Sequence, residues 1–351
     1  MGPREAACLE RLVRAGRLSA EDWAVLLAAR TQPAFLEALA PLAQARAQAT
    51  YGKTVYIRGL IELTNICQNN CYYCGIRRDN REVSRYRLSE DQVLEACEAG
   101  YQAGFRTFVL QGGEDPYWTD NRLVPFIQAI RHRFPDCVLT LSLGERSRES
   151  YARLYAAGAR RYLLRHETAD PAHYSRLHPD EMSLARRLEA LADLQALGFQ
   201  AGCGMMVGSP GQGTSQLVQD FLFIQDFQPQ MVGLGPFIPH HATPFADQPA
   251  GGVTETLVIL ALVRLLLPKV LLPATTALAT LDPRGHLAGI AAGCNVIMPN
   301  LSPPSVRKDY SLYDGKRSSG TEAAENVQAL AAELATVGYR IAVQAGNHPD
   351  F

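Results

Sequence analysis

The sequence predicts an α/β fold in which eight parallel strands close into a (βα)8 barrel of the TIM type, with an N-terminal helical extension and a short C-terminal helical tail. Three observations predict it. Eight short apolar, β-branched runs recur from residue 54 onward, stretches of helical period separate them, and each run ends on polar or glycine-rich residues. Strands alternating with helices form right-handed βαβ units and a parallel sheet, and eight is the number that closes a barrel. An open doubly wound sheet is the alternative that the same pattern allows.

The first fifty residues are rich in Ala, Leu and Arg at helical spacing. Ser19 opens a helix over SAEDWAVLLAAR, with Asp22 three residues on in the capping-box position, and Thr31-Gln32-Pro33 breaks the pattern. Residues 1–50 are read as the helical extension, 51–312 as the barrel and 313–351 as the C-terminal helix and tail. The eight runs are TVYIRGLIEL (54–63), TFVLQ (107–111), CVLTLSL (137–143), RYLLRHE (161–167), AGCGMMVG (201–208), MVGLGPFI (231–238), VLLPATT (270–276) and CNVIMP (294–299). Among the helices between them, SEDQVLEACEAGYQAG (89–104) starts on Ser89 with Gln92 as reciprocal capping partner, and MSLARRLEALADLQALG (182–198) closes on Gly198. One more helix is expected around 321–337. In a barrel the ends of the runs share one rim, where active sites are found, although ordinary turns need the same residues.

Composition narrows the function. The 351 residues carry 34 basic and 35 acidic side chains, a net charge of −1, which argues against nucleic acid as the main partner because phosphate neutralisation needs a basic excess. The most apolar stretch, 253–272, is interrupted by Thr254, Glu255, Thr256, Arg264, Pro268 and Lys269. It falls short of the roughly 20 apolar residues that cross a bilayer. With no signal-peptide pattern at the N-terminus, a cytoplasmic protein without a membrane partner is expected. Eight cysteines in such a chain do not read as a disulfide framework.

Three of those cysteines crowd into Cys67-Gln-Asn-Asn-Cys71-Tyr-Tyr-Cys74, a C-x3-C-x2-C loop just after the first run. Thiolates are soft ligands for zinc or iron–sulfur clusters. Structural zinc wants four protein ligands, and the nearest histidine is His132. Three cysteines suit a four-iron cluster with one iron open to a small molecule, which is the reading preferred over zinc. The other cysteines, at 8, 97, 137, 203 and 294, lack ligand spacing and read as buried apolar thiols.

With this loop the chain resembles the radical S-adenosylmethionine (SAM) enzymes, in which the open iron of a 4Fe–4S cluster is chelated by SAM and one electron yields a 5′-deoxyadenosyl radical. Tyr73, the aromatic before the last cysteine, fits the same pattern. The strings IELTNICQNNCYYCGIRRDN (61–80), VLQGGEDPY (109–117), LSLGE (141–145), RYLLRHETADP (161–171), MVGSPGQ (206–212), MVGLGPFIPH (231–240), LPATTALAT (272–280) and NVIMPN (295–300) together resemble the HydE group, the radical SAM maturases of FeFe hydrogenase.

The resemblance implies that Cys67, Cys71 and Cys74 hold the cluster. It also implies that Tyr73, Gln111, Gly112, Gly113, Glu114, Ser142, Glu167 and Arg187 contact SAM, with Arg186 as the alternative to Arg187. Thr140, Arg161, Arg165, Met231, Thr275, Thr276 and Met298 match positions lining the family's barrel cavity. A guanidinium suits an anionic substrate, though Arg161 and Arg165 lie four apart and one could serve a barrel-wall ion pair. Met231 and Met298 also read as ordinary core residues, and Gly112 and Gly113 could simply turn the chain. The histidines His166, His240 and His241 read as hydrogen-bonding loop residues.

The implied substrate is an iron–cysteine complex or an amino-acid-like molecule. The implied partners are the maturation proteins HydG and HydF and a ferredoxin or flavodoxin as electron donor. Some members carry a second cluster near the C-terminus, but no cysteine follows Cys294 here. A methylornithine-synthase or biotin-synthase type of radical SAM enzyme, or a non-catalytic iron–sulfur scaffold, are the alternatives. Biotin synthase takes strand cysteines for a second cluster; Cys137 and Cys203 lie on strand runs, but RYLLRHE has none.

Overall fold

A computed structural model describes all residues, Met1–Phe351. The chain opens with helices α1 (Pro3–Ala15), α2 (Ala20–Ala28) and α3 (Pro33–Tyr51). Ser19 caps α2, its hydroxyl accepting from the Asp22 amide at 3.2 Å. The Asp22 carboxylate does not return the bond; it pairs with Arg11 at 2.5 Å. Trp23, Leu26, Phe35 and Leu39 of these helices are fully buried and continue the core between the barrel strands and their helices.

The barrel follows in alternation. Strands β1 (Thr54–Ile57) and β2 (Gly59–Thr64) form one stave bent at Arg58. Next come α4 (Glu90–Gln102), β3 (Thr107–Gly112), α5 (Asp120–Arg133), β4 (Val138–Ser142), α6 (Arg148–Ala157) and β5 (Arg161–Leu163). After α7 (Pro171–Leu177) and α8 (Leu184–Ala196) the chain enters β6 (Gln200–Cys203) and β7 (Met206–Val207), then α9 (Thr214–Phe227), β8 (Met231–Val232), β9 (Gly235–Pro236) and α10 (Val253–Leu266). Short helices α11 (Thr276–Leu281) and α12 (Gly285–Ala291) precede β10 (Val296–Ile297). Ser89 and Gln92 form the reciprocal cap of α4 that their spacing predicts.

The sheet runs β2-β3-β4-β5-β6-β8, all parallel. Single parallel bridges, Met231 to Leu271, Pro273 to Val296 and Leu60 to Asn300, with the β1–β10 pairing, close the ring. The seventh run, VLLPATT, is thus a stave held by two bridges and not a full strand. Pro273 has no amide to donate to a ladder.

Side chains alternate across the staves as a closed barrel requires. Phe108, Leu110, Leu139, Leu141, Tyr162 and Leu164 pack in the main core, while Val109, Thr140 and Leu163 line a space inside the ring. Burying each of these outer apolar side chains contributes about 1.5–3 kcal/mol.

The C-terminal part differs from expectation. After α13 (Pro304–Arg307), the predicted helix appears as α14 (Val327–Ala335), but β11 (Arg340–Ala342) then pairs parallel with β1. The last residues fold under the end of the barrel where the strands begin. There Ala345 O accepts from Thr107 Oγ1 at 2.8 Å, and the His348 amide donates to Gln200 Oε1 at 3.0 Å. No helix is long and apolar enough to cross a membrane.

Candidate active site

The cysteine loop leaves β2 at the end of the barrel where the strands finish. Arg85 shapes it by donating to the carbonyls of Asn65, Ile76, Arg77 and Asn80, three of these bonds at 2.7–2.8 Å. Gln68 N–H donates to Glu114 O at 2.9 Å, tying the loop to the residues after β3. Gly113 must be glycine here, because a Cβ would stand 2.3 Å from Ile66 O and 2.7 Å from Cys67 Cβ.

Cys67, Cys71 and Cys74 are all free. Burial raises the Cys71 thiol, and the charges of Cys74 and Cys67 raise it further; burial and Cys67 push Cys74 up to about 12. Buried thiols that raise one another resist ionising together until a metal binds them, and a metal deprotonates a coordinating thiol outright. The donor set therefore fits an iron–sulfur cluster. No histidine or further cysteine lies on the loop to supply a fourth ligand.

Around the loop stand polar and charged side chains from the ends of successive strands and from α8. Glu114 Oε1 accepts from the Glu145 amide at 3.0 Å, and burial raises the Glu114 carboxyl. Ser142 ends β4, in register with Gln111. Arg187, buried on α8, pairs through Nε with Glu145 and donates to Arg165 O at 2.6 Å. Burial disfavours its charge, but the Glu145 carboxylate against it offsets that and holds the guanidinium protonated. Arg186 is 67% exposed and reaches Glu145 at 3.5 Å from outside, so Arg187 is the arginine placed among them. Glu167 pairs with Arg165 at 3.0 Å.

Below these side chains the barrel interior narrows to a cavity lined by Arg58, Val109, Thr140, Leu163, Met231, Gly233, Leu271, Pro273, Val296 and Met298. Thr140, Met231 and Met298 thus stand together. Thr275 caps α11, its hydroxyl accepting from Leu278 N–H at 3.4 Å, while Thr276 donates to Glu322 at 2.6 Å. Arg161 is not brought to this cavity. It sits one layer lower, where the strands begin, and its guanidinium donates to Thr107, Gln200, Ala345 and Asn347.

Sequence reasoning missed several residues of the site. Arg58 is buried, leaves Nε and Nη2 without partners, and donates from Nη1 to Met231 Sδ at 3.1 Å. Burial lowers its pKa to about 10. Its only sequence signal was a basic residue inside an apolar strand run, which it shares with Glu62. At the barrel mouth Glu62 pairs with Lys316 at 2.5 Å, and Gln111 donates to the Tyr310 hydroxyl at 3.3 Å. Both partners come from the segment after β10, which carried no motif. Met182 Sδ lies 3.7 Å from Cys71 Sγ.

Beside the loop, Tyr73 meets His178 Nε2 at 3.3 Å, and His178 Nδ1 lies 3.0 Å from Tyr174 O. Nδ1 is therefore the protonated nitrogen and Nε2 accepts from Tyr73. Burial, with Arg187 nearby, lowers His178 to about 3. A histidine depressed in this way stabilises the fold above its ordinary pKa near 6.5, and that stability is lost as pH falls from there toward 3. Between pH 7.5 and 5.5 the protein is expected to lose about 1 kcal/mol through this group. His178→Gln should flatten that part of the melting-temperature profile; an unchanged slope refutes the assignment.

The profile of the radical SAM superfamily matches residues 61–224. The FeFe hydrogenase maturase subunit HydE of Thermotoga maritima is 45% identical over 282 residues, covering 80% of this chain and 80% of that protein. A 3-methylornithine synthase of Methanosarcina acetivorans is 27% identical, covering 87% and 86%. Among solved structures, methylornithine synthase (PylB) superposes with a TM-score of 0.83 at 24% identity, over 95% of this chain and 97% of that one. HydG, a maturase of the FeFe hydrogenase, superposes at 0.80 and 19% identity, over 97% and 76%. At these identities the structural likenesses establish the fold.

Proposed function

The chain belongs to the radical SAM superfamily and within it to the HydE family, and from that membership we propose that it cleaves SAM reductively during assembly of the diiron centre of FeFe hydrogenase, acting in the cytoplasm on an iron–cysteine precursor. The observation that carries the reading is the trio of unpaired cysteines, without a fourth ligand on their loop, facing polar and charged side chains above an internal cavity. The family implies a 4Fe–4S cluster and SAM, which together supply a 5′-deoxyadenosyl radical when bound.

The protein's own groups divide the remaining work. Cys67, Cys71 and Cys74 would hold the cluster by three thiolates, with one iron left for SAM. The stretch Gly112-Gly113-Glu114 would receive the SAM amino group, and Tyr73, Gln111, Ser142, Glu167 and Arg187 would contact its other parts. Glu145 neutralises Arg187 so that the site is not left with an isolated buried cation.

Inside the cavity, Arg58 and Thr140 offer buried polar groups without partners. Such groups are costly until a ligand satisfies them, so they are matched to an anionic part of the precursor, with Arg165, Thr275 and Thr276 above. Leu163, Met231 and Met298 keep water from the reacting centre. HydG and HydF are the proposed partners upstream and downstream, and a ferredoxin or flavodoxin the electron donor.

The test is an anaerobic maturation assay holding every hydrogenase assembly component except HydE, to which this protein and SAM are added. Hydrogen evolution with 5′-deoxyadenosine formed alongside is the expected result. If 5′-deoxyadenosine forms without hydrogenase activity, the substrate assignment falls and amino-acid substrates are tried next. If neither appears with a loaded cluster, the radical chemistry falls too.

A further inference from the structure

Glu167 has φ of +65°, one of two non-glycine residues with positive φ. The left-handed region is disfavoured for a residue with a Cβ, and such a conformation persists where its surroundings impose it. The side chain so aimed is buried and proposed above to contact SAM.

The imposing groups lie outside the barrel wall. Asp220, on α9 and wholly buried, holds the chain on both sides of Glu167. Its Oδ1 lies 3.3 Å from His166 Nε2 and accepts from Ala169 N–H at 2.6 Å. His166 Nδ1 accepts from Gly204 N–H at 3.3 Å, so the ring proton resides on Nε2, which lies beside Asp220 without the alignment of a hydrogen bond. Gly204 O in turn accepts from Glu167 N–H at 3.0 Å. Gly204 admits no side chain, since a Cβ would meet Gly233 O at 1.9 Å. The ring of His166 also packs on Phe223, 4.8 Å between centroids. His166 is thus drawn outward to α9 while Glu167 turns inward beside Arg165, and the left-handed backbone at 167 is what lets adjacent residues point so differently.

We propose that His166 and Asp220 are positioning residues that fix the strained turn at Glu167 and so aim its carboxylate at SAM. The inference rests on reading Glu167 as a SAM contact, and a double-mutant cycle separates the two. SAM dissociation constants are measured by equilibrium dialysis on cluster-loaded protein, with the electron paramagnetic resonance signal of the reduced cluster recorded with and without SAM.

Asp220→Ala and Glu167→Ala are each expected to weaken SAM by about tenfold, the scale at which lost outer partners impair a ligand, and to diminish the spectral change that SAM produces. The double variant should bind no worse than Glu167→Ala alone, because Asp220 acts through Glu167. Asp220→Asn, which keeps the Oδ1 acceptor, should restore affinity to within about threefold of the parent. If the two losses multiply in the double variant, Asp220 is merely structural and the proposal is overturned. If Glu167→Ala leaves SAM affinity unchanged, the reading of Glu167 itself fails. Should Asp220→Ala not fold, His166→Gln takes its place in the same cycle with the same expectations.

Discussion

Replacing Cys71 with alanine is expected to yield a folded protein that retains almost no cluster iron and forms no measurable 5′-deoxyadenosine. The three cysteines stand on a loop fixed independently of them, by Arg85 from within and by the Gln68–Glu114 and Gly75–Leu312 backbone bonds at its ends. Removing one thiol therefore need not unfold the loop. It leaves two soft donors where the proposed cluster has three, and metal binding is coupled to the full donor set. Loss of a mere outer partner costs 10–100-fold in metal affinity, so loss of a direct ligand should exceed about 100-fold. Cys203→Ala is the control: Cys203, the last residue of β6, is wholly buried, and its loss should lower stability by about 1 kcal/mol, as small core truncations do, while iron and SAM cleavage persist. Iron content and 5′-deoxyadenosine, measured on both variants, decide it. A Cys71→Ala protein that still cleaves SAM sinks the cluster assignment.

How much of this was legible in the sequence depended on the kind of signal. The C-x3-C-x2-C loop, the strand–helix alternation and the caps at Ser19 and Ser89 are local, and each sits where the spacing placed it. The polar ends of the runs gather on one rim because parallel strands all finish at the same end. Other features depend on tertiary contact and left no local mark. Arg58 looks like an ordinary strand charge until closure of the ring turns it inward. Lys316 and Tyr310 reach the mouth from a polar tail with no pattern. β11 is three residues long, and its partner lies almost the whole chain away. The left-handed turn at Glu167 could not be read at all, since glutamate carries no preference for it.

The RYLLR run shows how two identical residues, four apart, come to different fates. Both arginines face into the barrel, as a period of two requires, yet Arg165 stands near the strand ends against Glu167 while Arg161 lies near the opposite end. Arg161 has no carboxylate partner; its donors go to Gln200 Oε1, Thr107 Oγ1, Ala345 O and Asn347 Oδ1. Burial, with Arg58 nearby, pushes its pKa well below the usual arginine value. It is a bolt between the staves and the C-terminal tail. Arg161→Met is therefore expected to cost about 3 kcal/mol, since several buried acceptors lose their donor at once. The residues beyond Val343 should become open to carboxypeptidase, while SAM cleavage per loaded cluster stays within about twofold of the parent. Arg165→Met should do the reverse, weakening SAM binding by leaving the Glu167 carboxylate short of its counter-charge, with the tail still protected. Denaturant unfolding, tail proteolysis and SAM dissociation constants on the two variants separate these outcomes. An Arg161→Met protein that keeps its stability but no longer supports hydrogenase maturation would mean that the guanidinium reaches substrate through the floor of the cavity, and that the tail is held by β11 alone.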